Sequence, residues 1–178
     1  MNHSFSFVVL FGLLAFACGC NDASRTDEQY LADWRNAESK SNVLHEGGTW
    51  HFEFVSVRLY RHNWDNQYIE FPILSAGKLS ETREPKEGIL LSPSQVDRLE
   101  AAVTGSHADT GIALCHFPHH GFVFFDADGA PVGSVDVCFL CGNVRTMPEG
   151  YAESCDLLSL AELIHEAGVP LRNPEWKH

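Results

Sequence analysis

An apolar run opens the chain, Phe5 to Ala17 (FSFVVLFGLLAFA), and polar sequence follows it. The run has the length of a signal peptide and is shorter than the ~20 residues a membrane span needs. Asn21 to Asn42 is polar with scattered charge and reads as a tether. A short helix over Asp27 to Glu38 fits within it, with Tyr30, Leu31 and Trp34 on one side. Gly47-Gly48 marks a boundary. Trp50 to Tyr60 (WHFEFVSVRLY) is aromatic and β-branched with rough alternation, which predicts a strand. Its apolar phase shifts between Phe54 and Val55, as at a bulge or in a strand buried on both faces. Arg61 to Gln67 is turn-like, and Tyr68 to Leu74 predicts a second strand that Pro72 confines to an edge. Glu81 to Gly88 reads as a charged loop.

Ser92-Pro93-Ser94-Gln95 carries the signature of a helix start, with Ser92 as cap and Pro93 in the first turn. Val96, Leu99, Ala102 and Val103 then form an apolar stripe that Gly105 ends. Thr110 to Phe117 and Gly121 to Asp126 predict strands. Asp126-Ala127-Asp128-Gly129 predicts a hairpin turn, and Pro131 to Leu140 the returning strand. Asp156 to Ala167 repeats the helical period, with Leu157, Leu160, Ala161 and Ile164 inward and Gly168 and Pro170 as stops. These elements predict a single α+β domain, an antiparallel sheet with two packed helices on one face. The organisation expected is a signal peptide over 1–19, a polar tether over 20–44 and the domain over 45–178.

Composition sharpens the address more than the activity. The formal net charge is −12, from 24 acidic and 12 basic residues. That balance argues against a nucleic-acid partner and supplies no polybasic patch for anionic lipid. The apolar run ends in Ala15-Phe16-Ala17-Cys18-Gly19-Cys20, similar to a bacterial lipobox, in which a cysteine after small residues is acylated. Cys20, preceded by Gly19, is the better register and Cys18 the alternative; the departure from pattern is the absence of Lys or Arg in Met1 to Ser4. The expectation is a protein of the cell envelope, held to a membrane by an N-terminal lipid and facing outside the cytoplasm.

Beyond the signal, Cys115, Cys138, Cys141 and Cys155 remain, and outside the cytoplasm disulfides are their default chemistry. Cys138-Phe139-Leu140-Cys141-Gly142 lacks the helix that a thioredoxin-like motif opens. Gly142 stands where haem attachment needs His. A strand entering Cys-x-x-Cys-Gly does fit a zinc knuckle, and Cys115 with His119 or His120 would complete a Cys3His site. His116 fits less well, because it follows Cys115 directly. Copper is the second metal, with Met147 nearby. Against the metal stand structural disulfides, joining Cys115 to Cys138 or Cys155, or Cys138 to Cys141. The turn at Asp126 lacks the oxygen ligands an EF-hand needs, since Ala130 and Val137 occupy those places. No nucleophilic triad or phosphate loop is visible, which leaves catalytic residues unassigned. Asp136 shares a strand face with Ser134 and Cys138 and reads as part of a solvated face, as His51, His62, His107 and His165 read as surface or satisfied histidines.

The Leu-Ser-Pro-x-Gln helix start, Cys115 with His119, the Phe-Val-Phe-Phe-Asp strand and the Val-Cys-Phe-x-Cys return occur in that order over Gly77 to Pro170. That order resembles a family of small uncharacterised bacterial exported proteins and lipoproteins. The resemblance implies that Cys115, His119, Cys138 and Cys141 act as one unit, and it implies no particular activity. Two functions are therefore expected: a non-enzymatic binding or structural module with a stabilising Cys/His cluster, or a metal-binding envelope protein.

Overall fold

The computed structural model describes residues 25–38, 49–105, 107, 114–151 and 155–176. The apolar run, Cys18, Cys20 and Gly47-Gly48 lie outside the described residues. The domain is α+β. Its main sheet is antiparallel, in the order β4(Glu84–Leu90), β1(Ser56–Arg61), β5(His120–Phe125), β6(Pro131–Cys138), β7(Asn143–Met147). A small hairpin, β2(Leu74–Ser75) with β3(Lys78–Leu79), forms a separate two-stranded sheet.

The central strand β5 is buried on both faces, because side chains alternate and each face is covered differently. Val57, Leu59, Phe122, Phe124, Val135 and Val137 point to one side, into the principal core. There they meet Leu99, Ala102 and Val103 of α2(Pro93–Thr104) and Leu160, Leu163 and Ile164 of α3(Leu157–Glu166). Tyr60 and Val123 point to the other side and pack under Ile73 and Leu74 in a second, smaller cluster. Helices thus cover one face and the 62–83 segment covers the other.

Local chemistry explains the helix ends. Ser92 Oγ accepts from the Gln95 N–H, and Gln95 Oε1 accepts from the Ser92 N–H, so two otherwise orphaned amides are satisfied. Asp156 caps α3 by accepting from the Ser159 N–H at 2.8 Å.

The short helix expected within the tether is present, while other stretches depart from the sequence reading. That helix is α1(Asp27–Glu38), and it packs on α3, with Leu31 only 1% exposed and Asp27 accepting from the Leu171 N–H. Leu31 and Trp34, expected on one side of it, meet the principal core. Glu84–Leu90 is an edge strand, whose polarity reflects exposure and not a loop. Asn143–Met147 is a further strand, β7. Conversely, the strand expected from Trp50 is confined to Ser56–Arg61: Trp50, Phe52 and Phe54 instead pack their rings around Phe124. Of the strand expected from Tyr68 only Leu74 pairs; of the strand expected over Thr110 to Phe117, residues 110–113 lie outside the described residues and 114–117 form no strand.

Candidate functional site

The β5–β6 hairpin decides where the cysteines meet. Its turn is held by Asp126, whose Oδ1 accepts from the Asp128 and Ala130 amides at 2.9 and 2.8 Å. His120 pairs with Val137, so the chain before His120 runs back alongside the chain after Cys138. Cys115 thereby arrives opposite Cys141, not Cys138. The two are joined as a disulfide, with Cα atoms 5.9 Å apart. This corrects the pairings expected from sequence, Cys115 with Cys138 or Cys155 and Cys138 with Cys141. Cys138 remains a buried free thiol whose Sγ accepts from the Phe117 and Cys141 amides, both at 3.2 Å. Burial raises its pKa and those amides oppose the rise. Cys155 is the other free thiol, packed in the principal core, where burial pushes it up to about 12.

The two histidines expected at a metal centre go elsewhere. His119 stacks on Trp176, ring centroids 4.1 Å apart, and its Nε2 bonds the Gln67 carbonyl. His120 bonds the Pro170 carbonyl at 2.8 Å beyond α3, and both rings lie edge-on to Trp64. Burial lowers their pKa values to about 4 and about 3, so both rings are neutral at pH 7. Among the described residues, no group of three or more His, Cys, Asp or Glu is placed to hold a metal ion.

What the fold does assemble lies on the outer face of β6 and β7. Ser134 and Asp136 sit beneath a cavity of about 420 Å³, roofed by the segment that includes Glu70, Pro72 and Leu74. Arg145, Met147, Glu149 and His116 also line it. A volume of this order suits a small molecule. Asp136 is 3% exposed, which overturns its reading as a solvated strand residue. Its Oδ1 accepts from the Ile73 N–H at 2.7 Å and lies 3.3 Å from Nε2 of His62, itself fully buried. The His62 contact is close without the alignment of a hydrogen bond. His116 is 2% exposed, bonds Oδ1 of Asn143 through Nδ1 at 2.7 Å, and is held below the usual histidine range by burial.

Sequence reasoning missed His62 and His116 as members of this cluster. No periodicity marks either one, because both lie on irregular segments that the tertiary fold delivers. The signal that was present is the polar trio Ser134, Asp136 and Cys138 inside an otherwise apolar strand. Comparison of the chain with family models, curated proteins and solved structures found no match.

Proposed function

We propose that the chain is a lipid-anchored bacterial envelope protein whose folded domain is a non-enzymatic binding module. The observation that carries this reading is the cavity: a space of small-molecule size floored by buried polar side chains, beside a cross-link between Cys115 and Cys141. Disulfides belong to compartments outside the reducing cytoplasm, which agrees with the lipobox before Cys20. The disulfide fixes the segment that carries His116, one of the residues lining the cavity. Ser134 Oγ makes no hydrogen bond among the described residues, so no activated nucleophile is assigned to it.

The alternative, a zinc or copper protein built on a Cys3His site, has weaker support. Cys115 and Cys141 are joined to each other, and His119 and His120 are engaged with carbonyls of Gln67 and Pro170.

Expression of the full chain in a bacterium with an alkyne-tagged fatty acid tests the address. Label on the wild type, retained in Cys18→Ser and lost in Cys20→Ser, is the expected result. Unlabelled protein in the culture supernatant or cytoplasm would refute the anchor. For the binding module, the test is whether small solutes shift amide resonances around the cavity.

A further inference from the structure

We infer that the cavity over β6 and β7 is a binding site for a small organic cation, an amine or guanidinium that presents several N–H donors. This rests on the binding-module reading and names its ligand class.

The floor is a set of acceptors. Nδ2 of Asn143 donates to the Cys115 carbonyl at 2.8 Å, which turns Oδ1 of that amide toward His116. Nδ1 of His116 therefore carries the hydrogen, and Nε2 is left as a lone-pair acceptor. That Nε2 is buried and has no hydrogen-bond partner in the protein. Ser134, 2% exposed, likewise has no partner for its Oγ. Between them along the floor stands the buried carboxylate of Asp136. A buried polar atom left unpaired costs about 1–3 kcal/mol, so donors brought to these atoms by a ligand offset that cost.

Charge selects the sign. Asp136, Glu70 and Glu149 line the cavity against the one guanidinium of Arg145. An anionic ligand would meet three carboxylates, and a hydrocarbon would leave Nε2 of His116 unsatisfied. The acceptors are not grouped for inner-sphere metal coordination among the described residues. Directional N–H donors on a positively charged group meet both demands.

The test is titration of the full chain with agmatine, putrescine, 1,4-butanediol and acetate, followed by calorimetry and by amide resonances. Agmatine or putrescine is expected to saturate with Kd at or below about 1 mM, with shifts centred on the cavity and butanediol at least tenfold weaker. Asp136→Asn is expected to weaken the cation roughly tenfold or more. Because Asp136 also holds the Ile73 amide, the double variant E70Q/E149Q serves as a second reading. Both glutamates are exposed, so the variant keeps the fold, and it should weaken the cation roughly threefold or more. Unchanged affinity in E70Q/E149Q, or butanediol binding as tightly as agmatine, would overturn the proposal. Shifts at the cavity from acetate or butanediol with none from either cation would discard the ligand class and leave the binding module standing. No cavity shift from any probe would discard both.

Discussion

Replacing Asp136 separates its role in the fold from its role in the cavity. The carboxylate bridges β6 to the 62–83 segment through the Ile73 amide, a bond of 2.7 Å between two buried groups. Asp136→Ala deletes a hydrogen bond to a charged acceptor and leaves the Ile73 N–H without its acceptor. A bond to an ionised group contributes about 1.5–3 kcal/mol, and the orphaned donor adds its desolvation cost, so a loss of about 3 kcal/mol is expected. Asp136→Asn keeps an oxygen at the same place and exchanges the charge for an amide, which should cost about 1 kcal/mol. Urea unfolding monitored by tryptophan fluorescence measures both, with equal slopes required for the midpoints to be compared. A double-mutant cycle with His62→Ala adds the pairwise term, expected at about 1 kcal/mol for groups 3.3 Å apart in a buried setting. Equal midpoints for Asp136→Ala and Asp136→Asn would refute the bridge. Zero coupling to His62 would show that the buried contact is only proximity.

Three further outcomes follow from the same geometry. The Cys115–Cys141 bond spans a sequence separation of 26, so in the chain-entropy picture its loss in C115S/C141S should cost about 3.5 kcal/mol. Reductant should reproduce that loss in the wild type and in Cys138→Ser, and have no effect on the double variant; an effect abolished by Cys138→Ser would reassign the pair. Gly121→Ala would place a Cβ 2.7 Å from side-chain carbons of Ile73, and overpacking of that kind should cost about 1–3 kcal/mol in thermal or urea unfolding, a neutral result contradicting the close packing of the 62–83 segment. His119 and His120 titrate at about 4 and about 3 in the fold. The unfolded chain takes up those protons near the ordinary value of about 6.5 while the fold resists them. Their stabilisation is therefore complete above that value and declines on acidification toward pH 4, by about 1.4 kcal/mol per pH unit for each ring. Urea midpoints between pH 7 and 5 should show it, and His119→Gln should flatten the slope; identical slopes in the variant would contradict the burial argument.

Legibility followed the kind of signal each element carries. The helices α2 and α3 were readable because capping residues and an apolar stripe act locally, at Ser92 to Val103 and at Asp156 to Ile164. The hairpin was readable from Asp126 to Gly129 and its alternating flanks. The edge strands β4 and β7 were not, because an edge exposes one side and is free to be polar, as in Glu84–Leu90. The disulfide was half legible. Four cysteines announced it, but the pairing of Cys115 with Cys141 depends on how the chain turns after Cys138, which no local pattern fixes. The cavity was the least legible part. His62, His116 and Glu70 come from irregular segments whose placement depends on Ile73 docking over Gly121, a contact of the tertiary fold that no local pattern encodes.

The most direct experiment is a map of the cysteines in the full chain recovered from the bacterial membrane fraction, alkylated before any reductant and digested. An exported binding module stapled as described yields a Cys115–Cys141 cross-linked peptide, with Cys138 and Cys155 carrying the alkyl label. Recovery of Cys115 and Cys141 as alkylated thiols, with a metal co-purifying at one equivalent, would contradict it.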